Sequence, residues 1–171
     1  MTVVSNAITF RAAFAIPGDL TRPSQSTVEA QPYGATAFPS YGVPVGLVSG
    51  LVVPIAASGT ALYGFLVRPY PIEGANASDA LGTAVPITSG IANVLKRGYI
   101  GVYVQNFAVN PAAANTPVYV WYAASTGQHV QGGVEAAATG GSTTEFNTFP
   151  YNAYFTCASD ANGYAEIAFN L

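Results

Sequence analysis

The stretch Tyr99-Ile100-Gly101-Val102-Tyr103-Val104-Gln105 decides the fold class. In an extended chain Ile100, Val102 and Val104 point to one side, and Tyr99, Gly101 and Tyr103 to the other, which is the period of two of a half-buried strand. Val118-Tyr119-Val120-Trp121-Tyr122-Ala123 repeats the pattern, with Val118, Val120 and Tyr122 opposite Tyr119 and Trp121. Residues 107–116, with Asn110-Pro111 and an alanine run, form a turn region of hairpin-like length between the two strands. A third alternating pair closes the sequence. Tyr151–Ala158 and Tyr164–Asn170 flank Asp160-Ala161-Asn162-Gly163, whose Asn-Gly step accepts positive φ, so 151–170 reads as a hairpin with Ala165, Ile167 and Phe169 on one face.

Upstream, the pattern is more broken. Residues 43–55 (V-P-V-G-L-V-S-G-L-V-V-P-I) read as an interrupted extended segment, with Gly46 and Gly50 as possible bulges. Ala61–Val67 is a strand ended by Pro69 and Pro71, residues 73–90 are loop-like, and Ile91–Lys96 is a short turn or strand. Pro17, Pro23, Pro32 and Pro39 punctuate residues 1–40, each removing a backbone donor and disfavouring helix before it. Apolar residues persist between these prolines, so the sequence predicts an extended arm over 1–40 that packs along a neighbouring subunit, followed by one β-domain over 41–171. No segment carries a capped helical period. Roughly seven or eight short strands are expected, enough for a sandwich or jelly roll.

Composition agrees. The 171 residues are 50% hydrophobic and only 8% charged, against about 25% in ordinary globular chains. Eleven Tyr and nine Phe suit pleated, half-buried surfaces, and 18 Gly and 12 Pro supply chain reversals. So few charges protect a lone molecule poorly against association, which implies a surface covered by copies of itself or by a larger assembly. The net charge is −3, and the five basic residues, Arg11, Arg22, Arg68, Lys96 and Arg97, cannot build the basic stripe that nucleic acid requires. No apolar run reaches the roughly 18 residues of a spanning helix. The N-terminus lacks a basic region followed by an apolar core, so synthesis in the cytoplasm without a membrane stage is expected.

Chemistry-bearing residues are scarce. His129 is the sole histidine, and nothing in the spacing joins it to Ser125 and Asp160 as a triad, so it reads as a polar loop residue. Glu73, Glu135, Glu145 and Glu166 offer no defined carboxylate pair and read as solvated or salt-bridged surface acids. Cys157, the single cysteine, excludes an internal disulfide and reads as a small buried hydrophobe. Glycine-rich nucleotide loops are absent, and neither a metal site nor a cofactor is expected. Tyr99, Tyr103, Tyr119, Trp121 and Tyr122 read as a cluster on two neighbouring strands, serving either core and interface packing or a sugar-stacking platform. Asp19, Arg22 and Arg68 are candidates for ion pairs within the chain or across an interface.

Several strings then carry a resemblance. Gly18-Asp19-Leu20-Thr21-Arg22-Pro23, Thr27-Val28-Glu29-Ala30-Gln31-Pro32 and Tyr41-Gly42-Val43-Pro44-Val45 resemble the N-terminal region of structural cement proteins of tailed bacteriophages. Leu62-Tyr63-Gly64-Phe65-Leu66-Val67-Arg68-Pro69-Tyr70-Pro71 and Val94-Leu95-Lys96-Arg97-Gly98-Tyr99 are similar to later segments of that family, so the likeness spans residues 18–104. It implies a jelly-roll-like β-domain, non-enzymatic, that binds the outside of the assembled capsid and bridges neighbouring major capsid subunits. A homo-oligomer is implied, a dimer ahead of a trimer. The contact residues it suggests are Asp19, Thr21, Arg22, Pro23, Glu29, Arg68, Pro69 and Tyr70. The alternative is a carbohydrate-binding β-sandwich of a tail fibre, which would use the aromatic cluster.

Overall fold

The computed structural model describes residues 16–69, 85–145 and 152–171. Ten strands and one 3-10 turn, Pro23–Gln25, account for its regular structure, and no α-helix occurs among the described residues. The strands are β1 (Thr27–Pro32), β2 (Pro44–Val48), β3 (Leu51–Pro54), β4 (Gly64–Val67), β5 (Ile91–Tyr103), β6 (Tyr119–Trp121), β7 (Val134–Glu135), β8 (Thr143–Glu145), β9 (Ala153–Phe155) and β10 (Tyr164–Phe169). Seven form one sheet in the order β3-β2-β4-β5-β10-β9, with β1 also on β5, and three form a second sheet, β7-β6-β8. Every strand pair is antiparallel. The fold is an all-β sandwich.

The thirteen residues of β5 organise both halves of the large sheet. The 91–96 and 99–105 segments, separate in the sequence reading, run through as one strand, with β1 and β4 on its first half and β10 on its second. The alternation changes hand on the way. Leu95 and Ile100 face the same core although their numbers differ by an odd count. The pairing explains this: Thr27 lies opposite Arg97 and Val28 opposite Leu95, so an extra residue of β5 is bulged out. Gly98 sits beside the bulge at φ 129°, and a Cβ there would lie 2.3 Å from Ser26 Oγ.

Two cores result. Phe65, Val67, Leu95, Ile100, Val102, Val104, Phe155, Ala165, Ile167 and Phe169 pack with Val120 and Val134 of the small sheet and with Val118 just before it. On the opposite face of β2–β5, Val43, Val45, Val52, Leu66, Ala92 and Val94 meet Tyr33, Phe38 and Tyr41. β4 lies between them, with all four of its residues buried. The β1 end returns to β3 through a parallel Tyr33–Val52 bridge and the Gly34 N–H to Val52 carbonyl bond, 2.8 Å, curling the sheet toward closure.

Several expectations hold. Ile100, Val102 and Val104 are fully buried together, and β9–β10 is a hairpin whose turn is fastened by Asp160 Oδ1 accepting from the Asn162 and Tyr164 amides, each at 2.9 Å. Others need correction. β6 does not form a hairpin with β5 but crosses into the second sheet, because residues 115–117 pair with β9 first: the Asn115 amide donates to the Phe155 carbonyl at 2.7 Å. Gly50 is no bulge, since with Ser49 it makes the positive-φ turn of the β2–β3 hairpin. Residues 27–32, expected to lie in an extended arm, form a strand on their own chain. The masking of β5's edge, not burial of side chains, holds it there, as five of its six positions are exposed.

Candidate contact surface

Residues 18–22 lie along the second half of β5. The Gly18 amide donates to the Gly101 carbonyl at 2.9 Å, the Gly101 amide to the Asp19 carbonyl at 3.0 Å, and the Arg68 amide to the Gly18 carbonyl at 2.9 Å. This brings Asp19 and Arg68 together electrostatically. Partial burial raises the Asp19 pKa above the usual carboxylate value, against the opposing pull of Arg68. Thr21 is half-buried, and its hydroxyl has no partner among the described residues.

Arg22 is the best-defined charged group of this region. Its guanidinium lies 3.8 Å from the Tyr99 ring centroid and 3.0 Å from Glu166 Oε1, which also accepts from the Thr156 hydroxyl at 2.6 Å. The Arg22 side chain remains 47% exposed. A planar cation is therefore held in one orientation at the surface, where it can still offer its other donors to a partner. Pro23 follows, exposed, at the start of the 3-10 turn, which has no buried residue.

Glu29 belongs to a second group. Tyr63 donates its hydroxyl to Glu29 Oε2 at 2.6 Å and accepts from Gln31 Nε2 at 3.0 Å, while Lys96 lies 3.3 Å from the Tyr63 ring centroid and donates to the Tyr63 carbonyl. Burial lowers the Lys96 pKa, and Glu29 counters that fall. Of the eight sequence-suggested contact residues, Arg22, Pro23 and Glu29 are exposed, Asp19, Thr21, Arg68 and Pro69 are half-buried, and Tyr70 lies outside the described residues. Of these the structure brings together Asp19 and Arg68, whereas Arg22 pairs with Glu166 and Glu29 with Tyr63.

The sequence reading missed several apolar side chains that are open to solvent. Val28 (38% exposed), Leu51 (41%), Ile87 (55%), Ile91 (62%) and Val85 (68%) are all open to solvent. Pro32 pairs with Ile91 across β1–β5, and the Tyr33 and Gly34 amides tie this end to Gly90 and Val52. Segments 30–36, 47–53 and 85–92 contain no Asp, Glu, Lys or Arg. Three charge-free runs were present in the sequence, but only the fold brings residues 32–34, 52 and 90–91 side by side.

The aromatic residues are not one platform. Tyr99 lies under Arg22, Tyr103 meets Phe107 and Tyr164 edge-on, and Trp121, in the other sheet and only 5% exposed, stacks on His129 with centroids 4.1 Å apart. His129 is more than a free loop residue: Nδ1 lies 2.8 Å from Glu135 Oε1. Glu135 is fully buried, which corrects its reading as a surface acid, and Oε2 has no hydrogen-bond partner among the described residues. Cys157 is half-buried, not buried, because it lies at the sheet margin, where its sulfur accepts the Glu166 amide at 3.4 Å. Among the described residues, no three of His, Cys, Asp and Glu gather as metal ligands.

The described residues thus form a low-charge all-β sandwich with apolar side chains open to solvent. The chain belongs to the XM1 gp53 minor capsid protein family, whose model matches residues 5–169. Its fold is also that of a chain in the structure described as the capsid of Myoviridae phage XM1, with a TM-score of 0.65 and 19% identity over 98% of this chain and 97% of that one. No curated protein matches the chain. It is thus a bacteriophage capsid component, located in the virion.

Proposed function

We propose that this minor capsid protein is a cement: a non-enzymatic protein, made in the host cytoplasm, that binds the outside of the assembled shell and bridges neighbouring major capsid subunits. The observation that carries the reading is membership of a minor capsid family in a chain that leaves Leu51, Ile87 and Ile91 open to solvent. Such side chains lose their contact with water by lying against other subunits. The exposed side of residues 18–32 and the Arg68-Pro69-Tyr70 stretch act as contacts. Homo-oligomerisation, as a dimer ahead of a trimer, adds avidity, because each added contact is made at high effective concentration.

Copy number tests the reading. Densitometry of purified virions is expected to give this chain at near-stoichiometric amounts relative to the major capsid protein. A few copies per particle would point instead to a tail or receptor-binding role, and absence from virions would remove the proposal.

Arg22→Ala is expected to weaken retention on purified shells about tenfold, the scale of a lost charge-assisted contact. Its ion pair with Glu166 is half exposed and contributes little to folding, so the melting temperature stays within about 3 °C of the native protein. Co-sedimentation with shells lacking the protein and a thermal melt separate the two effects. Unchanged retention would remove Arg22 from the contact set.

A further inference from the structure

The loop between β6 and β7 folds back over the small sheet. The Gly132 amide donates to the Trp121 carbonyl at 2.7 Å, Gln131 Nε2 to the Tyr122 carbonyl at 2.9 Å, and Thr126 and His129 exchange two backbone bonds of 3.0 Å. Residues 124–128 at its tip are exposed. Two further side-chain contacts tie the loop to the sheet: the Trp121 indole donates to the Ala124 carbonyl at 3.1 Å, and His129, stacked flat on Trp121, reaches Glu135 on β7. Glu135 is the one charged-type side chain fully buried among the described residues, and half of its carboxylate is unpaired.

We propose that the His129–Glu135 contact is a proton-sensitive clasp that fastens the 122–133 loop over Trp121, closed in acid and looser toward neutral pH. A buried carboxylate with one oxygen unsatisfied is tolerable when protonated and costly when charged. Burial accordingly raises the Glu135 pKa above its ordinary 4.5, outweighing the lowering effect of His129. Opening the loop lets water reach the carboxylate and releases its proton. The closed form is therefore fully favoured below 4.5 and loses that advantage as pH rises through the raised value.

Few other charges interfere. Between Val120 and Val134 the sequence holds no Asp, Glu, Lys or Arg. From the neighbouring strands, Tyr119 lies opposite Glu135 and Glu145 lies opposite Tyr119 by register, while Tyr122 donates its hydroxyl to the Gly141 carbonyl. From the large sheet the neighbours are Val104 and Gln105, neither of which titrates.

Trp121 is the only tryptophan, so acrylamide quenching of its fluorescence reads the clasp directly. In the native protein the quenching constant is expected to rise at least twofold from pH 4.5 to 7.5, with unchanged far-ultraviolet circular dichroism. In Glu135→Gln the rise is smaller than the native one, because the buried carboxylate no longer titrates. His129→Phe keeps a ring on Trp121 but removes the donor to Glu135, so its rise with pH is steeper than the native one and is readable even if the Gln variant fails to fold. A flat native profile, an equal rise in Glu135→Gln, or a flat profile in His129→Phe would overturn the proposal.

Discussion

Gly98→Val unfolds the protein or lowers its melting temperature by roughly 10 °C or more. Two separate costs fall on one residue. A side chain at φ 129° is strained by about 1–3 kcal/mol, more when β-branched. The new Cβ also meets Ser26 Oγ at 2.3 Å and Ser26 Cα at 2.7 Å, so the backbone of 22–26 must shift, which costs about 1–3 kcal/mol more. For a chain of 171 residues each kcal/mol moves the midpoint by roughly 2–4 °C. Because Gly98 ends the β5 bulge, the damage extends to register: β1, β4 and β10 all read their pairing from this strand. A thermal melt decides the matter, and a midpoint within 2 °C of the native value would mean that the bulge is not fixed by this glycine.

Phe65→Ala is expected to have an effect of similar size for a different reason. Phe65 is fully buried at the centre of β4 and meets Phe169 edge-on, with centroids 5.1 Å apart. Truncation leaves a cavity between two sheets that cannot close over it, because β4 is packed on both faces, and such changes cost about 3–5 kcal/mol. The aromatic pair adds to the loss. Phe65→Leu refills most of the space and is expected to recover more than half of the loss. Urea denaturation of both variants provides the comparison, and an alanine variant within 1 kcal/mol of native would show that the sheets collapse onto the void.

These two positions also show what the sequence could and could not reveal. The strands that face one core with regular alternation were legible: Ile100, Val102 and Val104, then Ala165, Ile167 and Phe169, occupy the buried side as their spacing requires. β1 was not legible, because Pro32 and the exposed Thr27, Val28, Glu29 and Ala30 give no burial pattern; its strand character comes from backbone pairing with β5, some 65 residues away in the chain. The continuity of β5 through Gly98 was hidden for a related reason. A bulge breaks the period of two on which the reading depends, so one strand looked like two.

The contact region was legible in its parts and not in its arrangement. Arg22 stood out as one of five basic residues, but its partner Glu166 is 144 residues away, a pairing that no local pattern encodes. Likewise, Glu135 looked like any other loop acid until β6 and β7 enclosed it. Short-range periodicity reports which face is apolar. It does not report which distant segment covers that face, and in this fold the long pairings settle both the buried acid and the apolar side chains left open to solvent.

The placement of β10 has a consequence for how the protein is made. This strand lies between β5 and β9 and supplies Ala165, Ile167, Ala168 and Phe169 to the interior, yet it follows every other strand in the chain. At about 5–20 residues per second, the nascent chain carries β5 with one edge and one apolar face uncovered for seconds before β10 emerges. Folding of the main core is therefore a late event that follows synthesis of nearly the whole chain. Until then the edge of β5 that β10 will take is open to a neighbouring nascent chain, because the stretch 18–22, made early, bonds the Tyr99 and Gly101 backbone on the opposite edge and leaves this one bare.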